Sequence, residues 1–215
     1  MVLQKHWPDV PKWRDVRDVT RESTGIFQPV LISGGFPCQD ISYAGLGCGI
    51  NGPKSGLWKE AVRVIKEISP KWVLCENVSA LRTRGLPQVL CDLSEIGYDA
   101  EWYCYKASRF NAPHKRERIL VVAHRNSEHG EEHIIRDQLD NASEEVSLGR
   151  GVYDPAWSEN WREIATSLFR VDDGIPYRVD RGTALGNAVV PQQVYPILKA
   201  IADFERGVSL SLIHI

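Results

Sequence analysis

Three short segments carry residue types that can do chemistry. Gly34-Gly-Phe-Pro-Cys-Gln-Asp40 sets Cys38 in a turn fenced by glycines and a proline, directly after the apolar run Pro29 to Ser33. Ligands in open α/β sheets bind beyond the carboxyl ends of the strands, so a thiol at that place is a candidate nucleophile. A lone cysteine is more often a small buried hydrophobe. The flanking turn residues favour exposure. The second segment, Glu76-Asn77-Val78, follows the apolar run Trp72 to Cys75. A carboxyl group leaving a strand there can do acid–base work in the same cleft, whereas a helix N-cap pair would use the same two residue types. The third is Arg116-Glu-Arg118, which leads into Ile119 to Ala123. Two arginines at i and i+2 of a strand project to one face and suit an anionic or carbonyl-rich substrate, or else form a salt-bridged edge.

The elements that must position these residues can be read from periodicity. Pro29 to Ser33 and Trp72 to Cys75 are predicted as short buried strands, and Glu101 to Ala107 and Ile119 to Ala123 complete the strand set. Trp58, Ala61, Val62, Ile65 and Ile68 recur at helical spacing after Ser55-Gly56, and Ser69-Pro70 stops that helix. A second helix is predicted from about Pro87 to Ile96, with Gly97 as its stop. Strand, helix, strand, helix predicts a parallel, doubly wound α/β sheet. Pro191 to Phe204 is predicted as a helix packing back on that sheet, and Trp157 to Phe169 as a short amphipathic helix. Asn126 to Arg150 is polar and aperiodic, and the final segment from Gly207 to Ile215 joins nothing upstream.

Composition sets the outer limits. With 215 residues, 43% of them apolar and 25% charged, the chain can bury a core and is not of disordered type. The net charge of -2 does not point to nucleic acid, but Lys106, Arg109, Lys115, Arg116, Arg118 and Arg125 concentrate positive charge in one stretch. Five cysteines without a C-x-x-C pair suit reduced thiols rather than a disulfide framework, and no metal site is expected. With neither a long apolar run nor a signal-peptide layout, the expected compartment is the cytoplasm, without a membrane partner.

Taken in order, Pro37-Cys38-Gln39, Glu76-Asn77-Val78, Pro113-His-Lys-Arg-Glu-Arg118 and Gly186-Asn-Ala-Val-Val-Pro191 resemble the motif series of the DNA (cytosine-5) methyltransferases. Lys54-Ser-Gly-Leu-Trp58 resembles that family's helix-opening motif, and Arg17-Asp-Val-Thr20 its acidic cofactor-contacting turn. The resemblance covers roughly residues 1 to 204. It implies a Rossmann-like, doubly wound α/β fold that uses S-adenosyl-L-methionine and acts on a cytosine flipped out of double-stranded DNA. It assigns Cys38 as the thiolate that adds to C6, Glu76 as the carboxyl group at N3, Arg118 as the holder of the ring carbonyl and Arg116 as its companion. It assigns Asp18, Pro37, Leu57, Asn187 and Val189 to the cofactor. Gln39, Ser42, Lys54 and Arg84 fall to DNA, and Tyr43-Ala-Gly-Leu-Gly-Cys-Gly49 to a mobile loop.

Two departures from the pattern stand out. His114 replaces the family's usual glutamine. Nothing before Val2 matches the family's first strand and Gly-rich turn, and Leu3-Gln-Lys-His-Trp-Pro8 is predicted as the helix that follows the second strand. The expected organisation is therefore a catalytic domain over 1–124 without that start, a small target-recognition insert over 125–183, a return helix over 184–206 and a tail over 207–215. Alternatives remain: a truncated or split fragment that only binds DNA or a complementing N-terminal polypeptide, a thiol enzyme pairing Cys38 with His114, and RNA as the methylated substrate.

Overall fold

The computed structural model describes residues 2–25, 28–37, 57–110, 116–125 and 189–206. Cys38, Gln39, Ser42, Lys54 and Asn187 lie outside the described residues, as do the expected loop after Cys38, the helix over Trp157 to Phe169 and His114. Two compact units divide the chain. The first comprises Met1–Tyr103 and Ile119–Asn126, the second Cys104–Arg118 and Ser127–Ile215.

The fold is α/β, built on a mixed sheet of four strands in the order β1-β2-β4-β3. The strands are β1 (Leu31–Gly35), β2 (Trp72–Val78), β3 (Tyr98–Lys106) and β4 (Glu117–Arg125). Strand β1 begins two residues later than its apolar run suggests. Pro29 cannot donate to a ladder, and pairing opens where the Trp72 amide donates to the Val30 carbonyl at 2.8 Å. β1 and β2 run parallel, as expected, with Leu31 opposite Trp72 and Gly35 opposite Glu76. The all-parallel expectation fails at the other edge of the sheet. Residues 107–116, which join β3 to β4 and open with a 3-10 turn (Ala107–Phe110), are too few for a parallel crossover.

In the first unit, α1 (Val2–His6) falls on the predicted N-terminal helix. A 3-10 turn (Val16–Asp18) and α2 (Arg21–Thr24) follow. The latter opens with a reciprocal cap: Ser23 N–H donates to Thr20 Oγ1 at 3.0 Å, and Thr20 N–H to Ser23 Oγ at 2.8 Å. Helix α3 (Leu57–Ile68) buries Trp58, Ile65 and Ile68 of its predicted stripe, and Val64 beside them, while Ala61 and Val62 are only partly buried. It ends at Ser69, whose φ of 52° suits the residue before a proline poorly as helix but well as a stop. After α4 (Leu81–Arg84), helix α5 (Leu86–Glu95) starts with Pro87 in its first turn, and Gly97 at φ 86° ends it. The core between these elements is Trp72, Val73, Leu74, Val89, Leu93, Tyr98 and Ile119 to Ala123, all nearly inaccessible. Its one phenol is satisfied, since Tyr98 Oη donates to the Pro70 carbonyl at 2.6 Å, and burial pushes that group's pKa up.

The described part of the second unit is smaller. Helix α6 (Pro191–Glu205) buries Ile197, Ala200 and Ile201. Tyr105 meets Phe110 edge-on at 5.7 Å, and Arg109 lies over the Tyr105 ring. Among the described residues no helix is long and apolar enough to cross a membrane, and no group of three metal-ligating side chains gathers.

Candidate active site and cofactor cavity

The site starts where β1 and β2 end together. Because Gly35 pairs with Glu76, the carboxyl side chain lies beside the strand that leads to Pro37 and Cys38. A Cβ on Gly35 would sit 3.3 Å from both the Glu76 carbonyl and Glu76 Oε2, so the missing side chain makes room for that carboxyl group. Glu76 and Asn77 belong to β2 itself rather than to a turn after it, a correction to the sequence reading. The N-cap alternative also fails, since α4 is capped by Ala80 without any side-chain bond.

Asn77 does something else. It is 3% exposed, and its Nδ2 donates to the Phe36 carbonyl at 3.1 Å while its Oδ1 accepts from the Val78 amide at 2.8 Å. The Phe36 ring packs on Trp58 at 5.0 Å. The Trp58 indole donates to Asp92 Oδ2 at 2.7 Å, and Gln88 holds the other Asp92 oxygen at 2.7 Å. The chain leaving β1 is therefore gripped by its backbone on one side and its ring on the other.

In the first unit an open cavity of about 440 Å³ adjoins this strand end. Its walls are the segment from Arg14 to Arg17, the strand end from Ile32 to Pro37 and the α3 face of Leu57, Trp58, Ala61 and Ile65. Pro37 and Leu57 line it; Asp18 is exposed at the end of the 3-10 turn, outside the described lining. Arg17 grips Asp15 through Nε and Nη2 at 2.9 and 2.6 Å, and that hydrogen bonding holds the Asp15 carboxyl down at about 2. Cys75, also in the lining, is no rival nucleophile. Burial pushes its thiol up to about 12. The exposed Cys91 has its pKa raised as well, chiefly by a hydrogen bond to Glu95.

The arginine segment lies in the second unit. Arg116 precedes β4 with a φ of 23°, so the expected i, i+2 alternation does not hold for Arg116 and Arg118; only Arg118 is on the strand. Both are partly buried, and Arg118 Nη1 donates to the Glu117 carbonyl at 2.9 Å. The turn is fixed from α6. Gln193, 1% exposed, donates both amide hydrogens, to the Tyr105 carbonyl at 2.8 Å and the Arg116 carbonyl at 2.9 Å. Val189 is 46% exposed just ahead of α6, and Arg84 is half-buried at the end of α4 in the first unit.

A family model of the C-5 cytosine-specific DNA methylases matches residues 1–168. This chain belongs to that family. Among curated relatives, this chain is 41% identical over 97 residues to the type II methyltransferase M.PspPI of a Psychrobacter species, 43% of this chain and 23% of that one. It is 34% identical over 130 residues to the type II methyltransferase M2.BsuMI of Bacillus subtilis, 57% of this chain and 32% of that one. The chain therefore spans under a third of the length of these relatives. Among solved structures, the S. pombe Dnmt2 methyltransferase aligns with a TM-score of 0.46 and 20% identity over 64% of this chain and 48% of that one.

Sequence reasoning missed three side chains that hold this machinery. Asn77 stood in a motif but looked like a cap. Gln193 was not singled out, and nothing in its neighbourhood announces a buried amide. Arg63 was not singled out either; its spacing from Glu60 (i−3) and Glu67 (i+4) announces no more than helix ion pairs.

Proposed function

We propose that this methylase transfers a methyl group from S-adenosyl-L-methionine to C5 of a cytosine flipped from double-stranded DNA. The observation that carries the reading is the pairing of Gly35 with Glu76, which brings a carboxyl group beside the strand that delivers Cys38. The cavity next to it fits the cofactor in size and character. About 440 Å³ is within the usual range for small-molecule sites, and an apolar α3 face opposite a polar turn suits a flat base joined to a ribose. Pro37 and Leu57 would touch it from the described lining, with Asp18, Asn187 and Val189 as further contacts. When bound, the cofactor supplies an electrophilic methyl group.

The chain's own residues do the rest. The Cys38 thiolate forms a bond to C6 of the base, and electron density moves to C5, which takes the methyl group. Glu76 hydrogen-bonds N3 and relieves the negative charge that the addition places on the ring. Arg118 holds the ring carbonyl and Arg116 supports it. Loss of the C5 proton to a base then expels the thiolate and restores the ring. Gln39, Ser42, Lys54 and Arg84 contact the DNA strand.

DNA carrying 5-fluorocytosine tests this directly, since the C5 substituent cannot then leave as a proton. Wild-type chain should be trapped as a covalent adduct when the labelled cofactor is present, and Cys38→Ser should not. An adduct with Cys38→Ser would assign the nucleophile elsewhere. A chain that binds DNA yet transfers no label would replace this reading with that of a DNA-binding piece.

A further inference from the structure

The 3-10 turn that forms one wall of the cavity is short and exposed, and its own bonds are few. Asp15 caps it, and the Val19 amide closes it on the Val16 carbonyl at 3.1 Å. Three of its carbonyls nevertheless have a common partner on α3. Arg63 Nη1 donates to the Val19 carbonyl at 3.0 Å, and Nη2 to those of Val16 and Arg17 at 3.2 and 3.4 Å. The remaining donors go to the carboxylates on its own helix. Nε reaches Glu60 at 2.8 Å and Nη1 reaches Glu67 at 2.9 Å. A guanidinium has five N–H donors, and all five are used.

This is more than a helix-surface ion pair. Glu60 and Glu67 flank the fork on one side, hold it in one orientation and raise its pKa, the Glu60 hydrogen bond contributing most. The other side is aimed at backbone, where a planar fork satisfies several acceptors at once and a lysine cannot. Two of the three gripped residues, Val16 and Arg17, line the cavity, whereas Arg63 itself does not. We infer that Arg63 is a positioning residue that locks the turn over Asp15 to Val19 as the wall of the cofactor cavity. The inference rests on the proposed reading of that cavity as a cofactor site.

Two measurements on the full chain decide it. The first is amide hydrogen exchange. Arg63→Gln should speed exchange at residues 16–20 at least tenfold while β2 and β4 stay protected, and Arg63→Lys should fall between. The second is the Kd for S-adenosylhomocysteine by titration calorimetry. It should rise about tenfold or more in Arg63→Gln, less in Arg63→Lys, and stay within twofold in Glu67→Gln, which keeps the three carbonyl contacts. Unchanged exchange at 16–20 overturns the inference, and so does a loosened turn with an unchanged Kd. If wild type fails to bind the probe even at millimolar concentration, the cofactor reading falls. The exchange result then decides the role of Arg63 alone: local loosening upholds the lock, and no change removes it.

Discussion

Asn77 and Gln193 are the two buried polar side chains among the described residues, one in each unit, and each grips a backbone carbonyl beside a candidate catalytic group. Asn77 holds the Phe36 carbonyl, two residues before Cys38. Gln193 holds the carbonyls of Tyr105 and Arg116. The surroundings differ. Asn77 sits where a parallel ladder already sets the register of both chains, and where Phe36 is pinned again through Trp58. Gln193 instead serves a segment off the strand, where Arg116 takes a positive φ and its carbonyl also accepts a long bond from the Ala107 amide at 3.3 Å. One candidate segment is held by a ladder and a ring, the other by a helix side chain and a turn amide.

That contrast can be broken in graded steps. The largest loss short of the nucleophile itself should come from Glu76→Gln, which keeps the shape but cannot carry the charge through the reaction; kcat should fall by on the order of 10²–10⁴ in a labelled methyl-transfer assay. Gln193→Ala should follow. It leaves two buried carbonyls short of a donor, so unfolding in urea should show a loss of about 2–4 kcal/mol. Its kcat should drop further than its DNA affinity. Asn77→Ala removes one such bond while the ladder stays, and about 1–2 kcal/mol is expected in the same titration. Equal losses for the two variants would erase the distinction between the two kinds of support.

Much of this frame was legible in the sequence, because burial and periodicity speak the same language. The α3 stripe ends where Ser69-Pro70 must end it, Gly97 stops α5, and the apolar runs of β2 and β4 lie in the sheet core. Strand ends were less legible. An apolar run marks where a strand is buried, not how far its ladder continues, so Glu76 and Asn77 were placed one element too late. The i, i+2 argument for Arg116 and Arg118 assumed that both lie on the strand, which in fact starts a residue after Arg116. Gln193 and Arg63 were invisible for a deeper reason. Both act on backbone carbonyls 44 to 88 residues away in sequence, and backbone acceptors carry no residue type to read.

The smallest expected effect is a pH dependence at the cavity floor. An unfolded cysteine ionises near 9.0, whereas Cys75 stays protonated to about 12 in the folded chain. Between those values the unfolded chain sheds a proton that the folded one keeps, so stability falls as pH rises, by about 1.4 kcal/mol per pH unit at most. Tyr98, also raised by burial, acts in the same direction at higher pH. Thermal midpoints recorded from pH 8 to 10.5 should decline, and Cys75→Ala, though less stable at pH 8, should show the shallower slope. Parallel slopes would mean that the thiol ionises freely and that the floor is open to water.

Trp58 gives the protein an optical handle of its own. Its ring lines the cavity and packs at a tilt against Phe36, while its indole N–H is committed to a carboxylate. An indole in that position reports both on what enters the cavity and on the segment that leads to Cys38. Emission from Trp58, isolated by comparison with Trp58→Phe, should therefore shift when S-adenosylhomocysteine binds. Under the proposed function, DNA bound at Cys38 should shift it again through the Phe36-Pro37 segment. A single fluorophore would then follow the order in which the two proposed substrates arrive, with no label attached.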